Sequence, residues 1–263
     1  MRSALNLVTL QRGFDPVEGM VIAAAAGFEG VGLWHDTLAA LRAEAGNLDA
    51  ITAQPIRVEE MCFLWGWMWA EGEERERVLA EVEERTALAA EAGSPIIIAC
   101  AAPGVGDPEQ AALDFRTVAD IGQRYGVTMA LEYIGSFEQY HDIKSGLELV
   151  RAADHPYAKL LIDVFHSFRG GTVVEDFRLP RGDEVALVHI NDVPAGDIAQ
   201  MNDSHRVLPG EGTLPLREAV GYLGDNGYDG ALSVEVFSEE LWAKPAAEVA
   251  ERAAAGMARL LAG

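Results

Sequence analysis

Leu160-Leu161-Ile162-Asp163-Val164-Phe165-His166 is an apolar run that ends in a carboxylate, with an imidazole three residues further on. A strand covered on both faces explains the apolar part. Burial does not explain the polar part, because unpaired groups of this kind cost several kcal/mol in an apolar setting. The pattern recurs. Three more apolar runs end in Glu132 (Ala130-Leu131-Glu132-Tyr133), His189 (Leu187-Val188-His189-Ile190) and Glu235 (Ser233-Val234-Glu235-Val236). If the four runs are strands of one parallel sheet, their ends converge.

Outward from this stretch, strand-like and helix-like segments alternate along the whole chain. Strands are expected over 5–10, 30–34, 56–64, 94–100, 127–133, 159–164, 185–190 and 231–236. Asp15-Pro16 starts a helix that Gly27 stops: a side-chain cap, a proline at the first position, and a residue that tolerates the left-handed conformation. Further helices are expected over 37–45, 73–92, 108–126, 145–153, 215–226 and 244–261, with at best a short one near 173–177. This βα alternation implies parallel pairing through right-handed crossovers. Eight units in 263 residues favour one domain, 1–263, folded as a single (β/α)8 TIM barrel. An open nucleotide-binding sheet wants Gly-x-Gly-x-x-Gly after its first strand, and Gln11-Arg12-Gly13-Phe14 is not that.

The formal net charge of −22 argues against nucleic-acid binding, which needs a basic stripe, and against adsorption to anionic lipid. A small anionic substrate stays open, because a local arginine and a metal override the global field. Cys62 and Cys100 lie in apolar stretches outside any Cys-x-x-Cys pattern and read as buried free thiols. The N-terminus lacks the features of a secretory leader, and no apolar run approaches the ~20 residues of a membrane span. A soluble cytoplasmic protein with a small-molecule substrate is expected.

In a barrel, chemistry sits where the strands end. Glu132, Asp163, His189 and Glu235 bring three carboxylates and one imidazole there. Unneutralised carboxylates repel one another, and a divalent cation relieves that. Oxygen-rich ligation suits one Mn²⁺, Mg²⁺ or Co²⁺ better than Zn²⁺. His166 reads as a substrate hydrogen-bonder or a loop histidine. Arg206, in the long loop 194–214, reads either as a clamp on a substrate oxygen or as a surface partner of Glu211. Trp34 and the Trp65-Gly66-Trp67-Met68-Trp69 cluster follow strands two and three, so both are expected at the same mouth, as a substrate wall or a subunit contact.

At these residues the chain resembles the xylose isomerase-like barrel superfamily, in its sugar phosphate isomerase/epimerase branch. The resemblance runs over essentially the whole chain. It is most specific in Leu161-Ile162-Asp163-Val164-Phe165-His166, Val188-His189-Ile190-Asn191-Asp192-Val193-Pro194, Arg206-Val207-Leu208-Pro209-Gly210-Glu211-Gly212 and Ser233-Val234-Glu235-Val236-Phe237. It implies a single divalent metal on Glu132, Asp163, His189 and Glu235, with His166 and Arg206 facing the substrate. The members it looks most like are inosose (2-keto-myo-inositol) isomerases and ketose 3-epimerases. A relative with the same barrel, the class II AP endonuclease, binds three zinc ions and ends strands three and four in histidines. Here residues 61–65 and Cys100-Ala101-Ala102 stand at those ends, which implies one metal and leaves Asp203 and His205 as polar loop residues. Fold analogy leans to a homodimer.

The implied chemistry is isomerisation or epimerisation of a sugar or cyclic polyol ketone through a metal-stabilised enediolate, with Glu132 and Glu235 as the proton-transferring pair. A dehydratase, with His166 as the acid, or a 3-oxo-glycoside lyase starts from the same proton abstraction. A non-catalytic binding or assembly subunit predicts loss of a ligand residue, and all four are present.

Overall fold

The structure, a computed structural model, describes residues 1–262. Eight parallel strands close on themselves in sequence order: β1 (Arg2–Asn6), β2 (Gly30–Trp34), β3 (Arg57–Leu64), β4 (Ile96–Cys100), β5 (Thr128–Glu132), β6 (Ala158–Asp163), β7 (Val185–Ile190) and β8 (Ala231–Val234). The connections carry α1 (Pro16–Ala26), α2 (His35–Ala45), α3 (Asp49–Thr52), α4 (Gly72–Glu91), α5 (Pro108–Tyr125), α6 (Ile143–Ala153), α7 (Val164–Arg169), α8 (Leu216–Asp225), α9 (Glu239–Trp242) and α10 (Ala246–Leu261). This is a (β/α)8 barrel. No helix among the described residues is long and apolar enough to cross a membrane.

Strand parity places the polar residues. Ile98, Cys100, Ala130, Leu161 and Leu187 pack with one another inside the barrel, while Ile97, Leu131, Leu160, Ile162 and Val188 belong to the core under the helices. Side chains two apart share a face. Glu132 therefore follows Ala130 inward, Asp163 follows Leu161, and His189 follows Leu187. The small interior residues Ala4, Ala130 and Ala231 leave room for the large polar groups above them.

Three local features depart from expectation. The first strand is Arg2–Asn6 and not 5–10, because Asn6 accepts from Val8 N and turns Leu7–Thr9 into a 3-10 turn. Leu7, Val8 and Thr9 are buried outside the ladder. His166 lies not in a loop but in α7, which Asp163 caps by accepting from His166 N at 2.9 Å. The short helix near 173–177 is a 3-10 turn, Val174–Arg178.

Asn6, Gly32 and Glu60 stand in register on β1, β2 and β3. A Cβ on Gly32 would overlap Glu60 Oε1 and come within 2.9 Å of Asn6 Nδ2. Glu60 is pinned by hydrogen bonds and cannot swing away freely. Gly32→Ala is therefore expected to cost about 1–3 kcal/mol, read as a lower urea midpoint at unchanged slope.

Candidate metal centre

Four consecutive strands deliver four buried ligand-type side chains to one point. Glu132 ends β5, Asp163 ends β6, His189 is the penultimate residue of β7, and Glu235 follows β8 directly. One ligand atom from each lies within 4.8 Å of all the others. His189 Nδ1 is 3.2 Å from Glu235 Oε2 and 3.7 Å from both Glu132 Oε1 and Asp163 Oδ2. Asp163 divides its oxygens: Oδ1 caps α7, and Oδ2 accepts from Arg206 Nη1 at 2.9 Å and Asn191 Nδ2 at 3.1 Å.

Arg206 is not a surface partner of Glu211, which pairs with Arg252 instead. It is 2 % exposed. Its Nη1 donates to Asp163 and, at 3.1 Å, to Glu235 Oε2, and its Nη2 donates to Asp203 Oδ1 at 2.6 Å. His166 Nε2 lies 3.1 Å from Nη2. The guanidinium also sits over Phe165 and Phe237. Asp192 fixes the loop that carries it. Its backbone pairs antiparallel with Val207, and its carboxylate accepts from Gly210 N, Gly212 N and Leu214 N. Asp203 thus holds Arg206, while His205 turns back onto Asn202.

Burial alone would push Asp163 up, but Arg206, His166 and His189 outweigh it and hold the carboxyl well below its usual range. Burial lowers Arg206, yet Asp163, Asp203 and Glu235 raise it overall. Cys62 and Cys100 line the cavity, and burial, then the nearby glutamates, push both thiols up. Neither offers a thiolate at neutral pH. The donor set is therefore three carboxylates and one imidazole, with the fixed positive charge of Arg206 against them. That excess of negative charge fits a divalent cation.

His189 yields a pH dependence. Burial lowers it, but Glu235 and Glu60 win, so its pKa lies well above the ordinary value. A raised pKa stabilises the metal-free protein fully below the unfolded value of ~6.5, and that contribution is lost as pH rises through the folded value. A cation held at Nδ1 would replace the proton. From about pH 6.5 upward, the metal-free melting temperature should fall relative to the Mn²⁺-loaded one, and Mn²⁺ affinity should rise. Paired thermal melts from pH 6 to 9 check this; a gap that narrows with pH contradicts it.

Above the centre lies a cavity of about 570 Å³, which His166 and Arg206 line with Glu132 and Glu235. Trp34, Phe63, Trp65 and Phe237 form its aromatic wall, with neighbouring ring centroids 5.5–6.3 Å apart. The tryptophan cluster is split. Trp65 faces the cavity, but Trp67 is buried against Phe115, and the Trp69 indole donates to Asp107 O. Arg12 and Trp242 also line the cavity, and neither was expected there. Trp242 lies in α9, directly after β8, where the barrel rule alone would have pointed.

Comparison with known proteins agrees with this geometry. An inosose isomerase of Bacillus velezensis is 31% identical over 143 residues, 52% of this chain and 49% of that protein. A 3-dehydroshikimate dehydratase of Pseudomonas putida is 26% identical over 254 residues, 90% of this chain but 38% of that protein. The chain thus spans about half the length of the inosose isomerases it matches, and less of the dehydratases. The crystal structure of the IolI protein, which holds a zinc atom, superposes with a TM-score of 0.91 at 19% identity, covering 100% of this chain and 98% of that one. Residues 20–260 match the sequence profile of the xylose isomerase-like TIM barrel, and the chain belongs to that family.

Proposed function

We propose that this protein is a divalent-metal-dependent isomerase or epimerase that moves a proton at the carbon beside the carbonyl of a sugar or cyclic polyol ketone. One observation carries the reading: Glu132 and Glu235 approach a single buried centre from strands three apart in the barrel, and both line the cavity. Glu132, Asp163, His189 and Glu235 would hold a cation of the Mn²⁺, Mg²⁺ or Co²⁺ type, which would supply Lewis-acid polarisation of the carbonyl. Glu235 takes the proton from one face of the substrate carbon, and Glu132 returns one from the other. Arg206 holds Asp163 and Glu235 in place and puts a fixed positive charge where negative charge grows on the substrate oxygen. The wall of Trp34 and Trp65 covers the apolar face of the ring and keeps water from the reacting carbon.

Mn²⁺-loaded protein in D2O, followed by NMR with inososes, ketohexoses and 3-keto-glycosides, should show deuterium entering at one carbon of one substrate class. Fully loaded protein that exchanges none of them overturns the proposal. A dehydratase is the second reading. The likeness to a 3-dehydroshikimate dehydratase over 90% of this chain favours it, and His166 lines the same cavity. Its product would be lighter by one water.

A further inference from the structure

Glu60 sits inside the barrel, fully buried, and no step above uses it. Its Oε1 accepts from Ser233 Oγ at 2.8 Å and from Asn6 Nδ2 at 3.1 Å. Its Oε2 has no hydrogen-bond partner and lies 3.4 Å from His189 Nε2, which has none either. Ser233 stands in register with His189 across β7 and β8, so the carboxylate is braced from the strand beside its target. The opposite ring nitrogen, Nδ1, faces Glu132, Asp163 and Glu235. The imidazole is strung between one carboxylate below and three above.

We propose that Glu60 is a positioning residue that decides which nitrogen of His189 meets the metal. The inference rests on the metal-centre reading above. A neutral imidazole carries its proton on one nitrogen and a lone pair on the other. An acceptor fixed at Nε2 keeps the proton there, which aims the Nδ1 lone pair at the centre and sets the ring plane. Asn6 couples this arrangement to a second ligand, since its Nδ2 also lies 3.3 Å from Glu235 Oε1 while its Oδ1 accepts from Trp34 Nε1. Gly32 provides the space that the carboxylate fills.

Two variants of the full chain separate positioning from packing. In Glu60→Gln, the donors Asn6 and Ser233 keep the amide oxygen at the Oε1 position. The amide NH2 then replaces Oε2 and donates to Nε2, so Nδ1 carries the proton and turns away from metal. Glu60→Ala leaves a space and adds no donor. Chelator-competition titration should show Mn²⁺ affinity lowered about 10–100-fold in Glu60→Gln and less in Glu60→Ala. In metal-free, ¹⁵N-histidine-labelled protein, at a pH where the ring is neutral, the share of His189 in the Nε2–H form should be lower in Glu60→Gln than in the parent. A carboxylate that only fills space predicts the reverse order, because glutamine conserves the volume and alanine does not. Wild-type Mn²⁺ affinity in Glu60→Gln, an unchanged tautomer, or a larger loss in Glu60→Ala overturns the proposal. Neither readout uses turnover. If the parent protein bound no Mn²⁺, the metal reading would fail by itself, and the tautomer in metal-free protein would still decide the role of Glu60.

Discussion

Glu235→Gln is expected to fold like the parent and to lower deuterium wash-in into the ketone substrate by about 10²–10⁴-fold. The fold survives because glutamine keeps the length and one acceptor oxygen. Arg206, which donates to Glu235 Oε2 at 3.1 Å, also keeps Asp163 at 2.9 Å and Asp203 at 2.6 Å. The stability change should stay within about 2 kcal/mol. Activity does not survive, because a neutral amide cannot take a proton and is a weaker donor to a cation. These two losses are separable. Chelator competition gives the Mn²⁺ affinity, and wash-in measured at saturating Mn²⁺ gives the proton-transfer defect alone. A wash-in rate near that of the parent at saturation would remove Glu235 from the proposed pair.

The cluster of three carboxylates and one imidazole was legible because it breaks a rule. Carboxylates at the ends of apolar runs have no reason to be there, and period-two parity carries Glu132, Asp163 and His189 to the same inward face as Ala130, Leu161 and Leu187. The barrel was legible from the same alternation. Glu60 breaks the same rule, in the middle of β3 and not at its end. Two adjacent acids, Glu59 and Glu60, point to opposite faces of the strand, and both are buried, Glu59 by Arg2 on one side and Glu60 by Asn6 and Ser233 on the other. Those partners lie 54 to 173 positions away in sequence, and no local pattern announces them.

The burial of Arg206 was hidden for a related reason. A long loop with three glycines and several polar residues reads as surface, and the side chain that pulls it inward, Asp192, stands 14 positions before Arg206. The Asp192 carboxylate binds three backbone N–H groups of the returning loop, which fixes where residue 206 must lie. The tryptophan cluster was expected whole at the mouth, and only Trp65 of the three lines the cavity, because the strand ends at Leu64. Beyond it Trp69 adopts φ +59° and the three rings diverge.

Arg206→Met should unfold metal-free protein more easily by about 3–5 kcal/mol, the cost of leaving a buried ion pair with one partner. Methionine keeps much of the apolar stem that packs on Phe165 and Phe237, so cavity formation is a minor part of the effect. The main cost is electrostatic. Asp163 and Glu235 lose the guanidinium that touches both, and Glu132 and Glu60 remain nearby with the imidazoles of His189 and His166 to compensate. This leads to a result that packing would not produce. A divalent cation held by the same carboxylates replaces the missing charge, so Mn²⁺ should stabilise Arg206→Met by more kcal/mol than it stabilises the parent. Urea unfolding of both proteins, with Mn²⁺ and with chelator, gives the four free energies needed. An equal or smaller Mn²⁺ increment in the variant would mean that Arg206 and the metal do not share the carboxylates. The charge-balance argument for the centre would then fail, even if the barrel and its family membership stand.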